Sequence, residues 1–251
     1  MSFDLESVRS QFPGRQINWF SSVTSTMMLA AGLARDGCVS GTVVGADGQV
    51  AGVGRHGHAW HSEAGAGLYV SLVLRLGIPA HVLPVAMLAL GVATQEAIAE
   101  VTGLAADLRW PNDVMIGGKK CAGILAQLEG GAVIAGIGIN VNHAAFPREI
   151  EPLATSLLLE GRRNVSREHL LVALLRSVDD CCDVMRNAGP VAILRMFTQA
   201  SSYAQGRRVR VEKDGAIIEG TTCGLDSSGF LVVRDDAGRE TTILAGGVRP
   251  G

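Results

Sequence analysis

Two blocks of this sequence carry side chains whose types and spacing suit work on phosphates and carboxylates. The first is Gln49-Val50-Ala51-Gly52-Val53-Gly54-Arg55-His56-Gly57-His58-Ala59-Trp60, where basic, imidazole and aromatic groups alternate with glycines. Glycines let backbone N–H groups approach an anion, an arginine supplies a bidentate charged contact, and a tryptophan can pack over a nucleobase. Taken alone, the block reads at least as readily as a flexible surface loop. The second is Arg109-Trp110-Pro111-Asn112-Asp113, followed by Gly118-Lys119-Lys120-Cys121-Ala122-Gly123-Ile124-Leu125. Lys120 opens an otherwise apolar strand, where its ammonium could stay beside a carboxylate attacking a phosphate and stabilise the charge that develops. A solvated lysine at a strand end has the same spacing, so both readings stand at this level.

Elements of fixed period must position these blocks. Ile17 to Phe20 reads as a short strand after sixteen weakly patterned residues. A helix follows, with Met27, Met28, Leu29, Ala31, Leu33 and Ala34 on its apolar face, Ser or Thr as N-cap and Asp36-Gly37 as its stop. Thr42 to Val44 and Gly67 to Leu76 read as strands, the second alternating through Leu68, Val70, Leu72 and Leu74. Val82 to Val101 has helical spacing. Leu108 to Trp110, Val114 to Ile116, Cys121 to Leu128 and Ala132 to Asn140 read as strands joined by hairpins. Two more helices follow, one from Ser166 through Met185 and one from Gly189-Pro190. After Gln205-Gly206, turn signals at Asp214-Gly215, Ser227-Ser228-Gly229 and Asp236-Ala237-Gly238 separate four short strand candidates, read as a small β-barrel. The expected class is α+β, a mixed or antiparallel sheet packed on helices, with domains at 1–205 and 206–251.

Bulk properties narrow the function. The chain has 251 residues, 47% hydrophobic and 18% charged, enough to bury a substantial core. A formal net charge of -2 argues against a protein devoted to gripping nucleic acid. The five cysteines show no metal-ligand spacing and read as reduced thiols in a cytoplasm. An acidic, polar start, MSFDLESVRS, does not read as a secretory signal, and the apolar run Val82 to Ala93 reads as too short to span a bilayer.

Together the two blocks resemble the signatures of the biotin–protein ligase family, a loop of the form GRGRxGRxW and a segment of the form KWPND…KxxGIL. Ser25-Thr26 matches the family's Ser-Thr pair at an early helix, and Gly136-Ile137-Gly138-Ile139-Asn140 matches its GxGIN strand end. These four elements, in the family's order, cover roughly residues 17 to 142. The resemblance implies a fold akin to class II aminoacyl-tRNA synthetases with a C-terminal SH3-like barrel. It also implies an enzyme that makes biotinyl-5'-AMP from biotin and ATP with Mg2+, then transfers biotin to a lysine of the biotin carboxyl carrier protein of a carboxylase such as acetyl-CoA carboxylase.

Residue by residue, the resemblance assigns Ser25, Thr26 and Gln49 to the ureido ring of biotin. Gly52, Gly123 and Gly138 would let the backbone approach the ligand. Lys120 and Arg55 would be catalytic, Lys120 also meeting biotin and Arg55 also the phosphate. Gly54, His58, Trp60, Asn112 and Asn140 would serve ATP. A homodimer is the family's default. Fewer than twenty residues precede the first strand, so no helix-turn-helix domain and no nucleic-acid partner is expected, nor any membrane partner.

The sequence also departs from the pattern. Val53 stands where the family loop carries arginine, His58 and Ala59 stand where it carries further basic residues, and Arg109 replaces the lysine of KWPND. Losing one charge-assisted hydrogen bond costs roughly 1.5–3 kcal/mol. Two other readings compete: a lipoate or octanoate ligase or transferase, with Cys121 as the tempting nucleophile, and a biotin sensor without catalysis. Tyr69 and Met87 read as core, and His143 as a loop residue near the site.

Overall fold

The structure, a computed structural model, describes residues 3–213 and 216–251; the turn expected at Asp214-Gly215 lies outside them. The first segment is more ordered than its pattern suggests. Helix α1 (Leu5–Ser10) starts at Asp4, whose carboxylate accepts the Ser7 N–H at 3.0 Å, and it seals the core with Val8. Strand β1 (Ile17–Phe20), helix α2 (Thr26–Arg35) and strands β2 (Thr42–Ala46) and β3 (Gly67–Leu74) follow. Helix α3 (Leu83–Thr102) leads to β4 (Asp107–Arg109), β5 (Asp113–Ile116), β6 (Lys119–Glu129) and β7 (Ala132–Asn140).

These seven strands form one sheet in the order β1-β2-β3-β7-β6-β5-β4. The β1–β2 pair is parallel and the other pairs are antiparallel, so the sheet is mixed. The hairpins expected from Gly117-Gly118 and Gly130-Gly131 are present, and all four glycines take positive φ.

All eight residues of β3 are buried because helices cover both faces of the sheet. On one face, Leu68, Val70 and Leu72 join Val133, Ala135, Ile137 and Ile139 of β7 in the main core. That core is completed by α3 and by α5 (Arg167–Ala188), with Leu88, Val92, Leu171 and Leu174 among its members. On the other face, α2 packs Met27, Ala30, Ala31 and Ala34 against Val44, Val73, Ala132 and Ile134.

Helix α3 runs well beyond the apolar stretch Val82 to Ala93. The segment Ala80–Thr102 is long and apolar enough to cross a membrane by length and composition, but 61% of its most apolar window is buried inside the protein. It is a core helix whose faces are taken by the sheet and α5, as its buried residues require.

Helices α4 (Leu157–Gly161) and α6 (Pro190–Ala200) complete the main body; the short α4 had no clear sequence signal. The C-terminal segment holds five strands rather than four: β8 (Gln205–Lys213), β9 (Ala216–Leu225), β10 (Leu231–Arg234), β11 (Glu240–Ile243) and β12 (Gly247–Pro250). They form an antiparallel sheet in the order β11-β10-β9-β8-β12, and among the described residues no strand pairing joins its edges β11 and β12 into the expected barrel. The extra strand comes from Gly247–Pro250, too short and too rich in Gly and Pro to announce itself. Trp110, buried beside Pro111, donates its indole N–H to the Gly229 carbonyl at 2.9 Å and so ties the two sheets together.

Candidate active site

The period of two along β3, β6 and β7 decides where the cavity lies. Residues facing α3 are large and branched. On the α2 side the same strands present Tyr69, Ser71, Gly123, Gly136 and Gly138, and the missing side chains leave a narrow cavity of about 50 Å3 lined by Ser25, Thr26, Gln49 and Lys120 among others.

One end of the cavity is neutral and densely hydrogen-bonded. Ser25 occupies the N-cap position of α2, yet its hydroxyl makes no capping bond. Instead the Gln49 amide oxygen accepts from the Thr26 N–H at 2.9 Å and from the Thr26 hydroxyl at 3.2 Å. The Gln49 amide donates to the Ser62 hydroxyl at 3.0 Å, and the Ser71 hydroxyl donates to Thr26 Oγ1 at 2.8 Å. Buried polar groups held this way keep one orientation, and the Ser25 hydroxyl remains for a ligand.

The floor is made of glycine and tryptophan. A Cβ built on Gly138 would lie 2.5 Å from the Trp60 indole nitrogen, and one on Gly123 would lie 2.9 Å from the Trp60 ring and from Lys120 Cε. The Trp60 indole N–H is buried and has no partner among the described residues. Gly52 lies behind the loop, where a Cβ would meet Ser62 Oγ at 2.7 Å and the Trp60 carbonyl at 2.8 Å. Its small size serves the loop's own packing, and it does not line the cavity.

The opposite end is charged. The Lys120 ammonium is ion-paired with Asp113 and lies 5.2 Å from the centroid of the Trp60 ring. Asp113 Oδ2 also accepts from Arg109, at 3.1 Å from Nε and 2.6 Å from Nη2. Burial alone would raise the Asp113 carboxyl, but Lys120 and Arg109 outweigh it and hold the group below the usual carboxylate range. Arg55 Nη1 donates to Asn112 Oδ1 at 3.4 Å, and burial pulls its guanidinium below its ordinary value, with Asp113 partly opposing.

Asn112 donates to the Ile124 carbonyl at 3.0 Å, and Asn140 to the Thr155 carbonyl at 3.0 Å. These amides lean on strand ends that the hairpins bring together. Asn112, Asn140, Lys120, Asp113, Trp60 and His58 line a second, larger cavity of about 350 Å3, and Gly54, Arg55, Asn112, Trp60 and Lys120 line both. Lys120 and Arg55 therefore stand at the junction of two connected spaces.

The glycine-rich loop is folded back on itself. Gly54 N donates to the His58 carbonyl at 2.7 Å and Trp60 N to the Gly52 carbonyl at 2.8 Å, while His56 and Gly57 turn the chain with positive φ. His58 is exposed at its rim. Val53 is 46% exposed, lines the first cavity and bridges to Ala59.

Comparison with known proteins agrees with this arrangement. Residues 19–143 match the model of the biotin/lipoate A/B protein ligase family, and residues 205–248 match the biotin protein ligase C terminal domain. The chain is 35% identical to the biotin--[acetyl-CoA-carboxylase] ligase of Mycobacterium tuberculosis, across 98% of this chain and 94% of that protein. The chain belongs to the biotin protein ligase family. It is also 31% identical to the bifunctional ligase/repressor BirA of Bacillus subtilis, across 92% of this chain and 73% of that protein. Among solved structures, the biotin protein ligase from Aquifex aeolicus in complex with biotin and ATP superposes with a TM-score of 0.82 at 29% identity, covering 93% of this chain and 97% of that one.

Within this family fold, several lining residues escaped the sequence reading. Tyr69 is core, as expected, but its ring also lines the first cavity. Ser71, which holds Thr26 by a hydrogen bond without lining either cavity, could have been found as the polar residue between Val70 and Leu72 in a strand of alternating leucines. Asp113 was visible only as part of a motif; its bonds to both Lys120 and Arg109 depend on the hairpin register. His143 lies in the loop after β7, as expected, but is fully buried there. Cys121 is fully buried as well, and burial pushes its thiol up to about 12, which leaves it no nucleophilic role.

Proposed function

We propose that this chain is an ATP-dependent ligase that forms biotinyl-5'-AMP and transfers biotin to a specific lysine of a biotin carboxyl carrier protein, such as that of acetyl-CoA carboxylase. The observation that carries the reading is the cavity's polarity, with a fixed neutral hydrogen-bonding end at Ser25, Thr26 and Gln49 and a cationic end at Lys120 and Arg55. A ureido ring needs donors and acceptors, whereas a carboxylate approaching a phosphate needs positive charge.

In the first step a biotin carboxylate oxygen bonds to the α-phosphorus of ATP as the bond to the leaving pyrophosphate breaks. Lys120 offsets the charge gathered there, and Arg55 holds the transferring phosphate from the side of Asn112. In the second step the carrier lysine amine attacks the acyl carbon, AMP leaves, and the amine loses its proton. Trp60 and the 52–61 loop exclude water from the mixed anhydride between the steps.

Gly54, His58, Trp60, Asn112 and Asn140 would face the nucleotide in the larger cavity, with Gly123 and Gly138 under the biotin. Asp113 already meets Lys120 and Arg109, and the Asn112 amide oxygen meets Arg55, so these residues do not fit a protein-held Mg2+; an ion arriving with ATP would be held by phosphate oxygens and water. The ion would neutralise triphosphate charge. We assign residues 1–205 to the catalytic unit and 206–251 to a companion unit, in a cytoplasmic enzyme, in keeping with five unpaired cysteines. A homodimer would use an edge of the large sheet, at β1 or β4.

The test is mass spectrometry of a carrier domain incubated with the protein, ATP, Mg2+ and biotin, beside Lys120→Ala. An ATP-dependent biotinyl increment that largely disappears in the variant supports the reading. Stimulation of ATP–pyrophosphate exchange by lipoate or octanoate instead of biotin would overturn the substrate assignment, and biotin binding without any increment would leave a sensor.

A further inference from the structure

At the wall of the larger cavity, which His61 lines, lies a group of side chains that the proposed biotin activation does not use. His61 and Glu63 lead into β3, and His143 follows the end of the neighbouring β7; each offers one ligand atom, and the three atoms lie within 4.8 Å of one another. We propose that His61, Glu63 and His143 form a binding site for a late first-row divalent cation of the zinc class, distinct from the hard-ion chemistry of the nucleotide.

The hydrogen bonds around His143 prepare it as a ligand. The Tyr69 hydroxyl has one proton, and that proton goes to the Glu63 carbonyl at 3.1 Å. At the 3.2 Å contact between Tyr69 and His143 the phenol oxygen must therefore accept, and His143 Nε2 carries the hydrogen. Nδ1 is left as a bare lone pair, buried and without a hydrogen-bond partner among the described residues. Histidine ligands are oriented in this way, one nitrogen donating to a fixed acceptor and the other facing the metal. The Phe146 ring, stacked on His143 with centroids 5.1 Å apart, holds the imidazole plane.

The other two ligands can move. His61 Nε2 stands 3.9 Å from Glu63 Oε2, and their side chains are 33% and 57% exposed. Ligand atoms around tetrahedral zinc sit roughly 3.4 Å apart, as bonds of about 2.0–2.2 Å require. Rotation of the two half-free side chains closes that difference while His143 stays in place. Two imidazoles and one carboxylate suit zinc rather than magnesium or calcium, and they leave a fourth position open. Because His61 lines the larger cavity, an ion held here would fix part of its wall.

The test is Co2+ titration and equilibrium dialysis of Zn2+ on the full chain without nucleotide, repeated on His61→Gln and Glu63→Gln. One equivalent of Zn2+, a tetrahedral Co2+ absorption band, and affinity weakened at least about tenfold in both variants, with unchanged melting in the absence of metal, is the expected result. No Zn2+ binding overturns the proposal. So does binding by both variants as tight as the parent's, or binding that disappears on alkylation of Cys38 and Cys223, the two partly exposed thiols. Neither variant touches the fully buried His143, so folding failure at that position does not cloud the outcome.

Discussion

The Lys120 ammonium is held between the Asp113 carboxylate and the face of the Trp60 ring, 5.2 Å from the ring centroid. The lysine is thus positioned before any ligand arrives, and its alkyl stem packs near Gly123, where a side chain would displace it. Lys120→Ala should lower biotin-dependent ATP–pyrophosphate exchange by about 10²–10³-fold, the usual cost of removing one preorganised charge contact. Asp113 keeps Arg109, so the variant's melting curve should stay cooperative. Exchange within a few-fold of the parent's would remove Lys120 from the chemistry.

The same carboxylate sets an acid limit. Asp113 titrates below its ordinary value in the folded protein, so between the two values the unfolded chain binds the extra proton. The stability it contributes is complete above the unfolded value of about 3.9 and is lost as pH falls through the lower folded one. Asp113→Asn should therefore be less stable than the parent near neutrality, and the gap should narrow below about pH 4. Urea midpoints for both proteins from pH 6 down to 2.5 measure it, and a gap independent of pH would contradict the assignment.

Gly138→Ala places a carbon 2.5 Å from the Trp60 indole nitrogen and must push the ring into the cavity. Biotin affinity should fall about tenfold or more by calorimetry, with little change in Tm. Undiminished affinity would show that Trp60 has another resting place.

Gln49→Ala removes the acceptor that caps α2 and a contact proposed for biotin. We expect about 1 kcal/mol of lost stability, typical of a helix cap, together with weaker biotin binding. A variant that loses stability alone would make Gln49 a structural residue only.

Val53 lines the cavity where family loops carry an arginine. Val53→Arg should slow release of biotinyl-5'-AMP, a gain of about 1.5–3 kcal/mol if one charge-assisted bond forms. Stopped-flow release that is unchanged or faster would refute this.

Much of the molecule was legible in the sequence. Period-two and period-3.6 patterns located the strands of the large sheet and the long helices, because burial on one face imposes that spacing whatever the distant partners. The resemblance to the family's motifs likewise drew Ser25, Gln49, Arg55, Asn112 and Lys120 into one expectation, and all five line the first cavity. Local signals failed where elements were short, as in α1, α4 and β12, or where their stability comes from tertiary packing.

Only the tertiary structure decided the rest, since it depends on register and on groups far apart in the chain. Strand pairing brings Asp113 opposite Gly123 and lets one carboxylate answer both Lys120 and Arg109. Packing turns Gly123 and Gly138 toward Trp60, moves Gly52 out of the cavity wall, and gives the cap of α2 to Gln49, 23 residues away, in place of the serine beside it. Burial made Cys121 inert and brought His143 to His61 and Glu63. A linear pattern carries the chemistry of each side chain, but which lone pair meets which proton is settled only when the sheet closes over its helices.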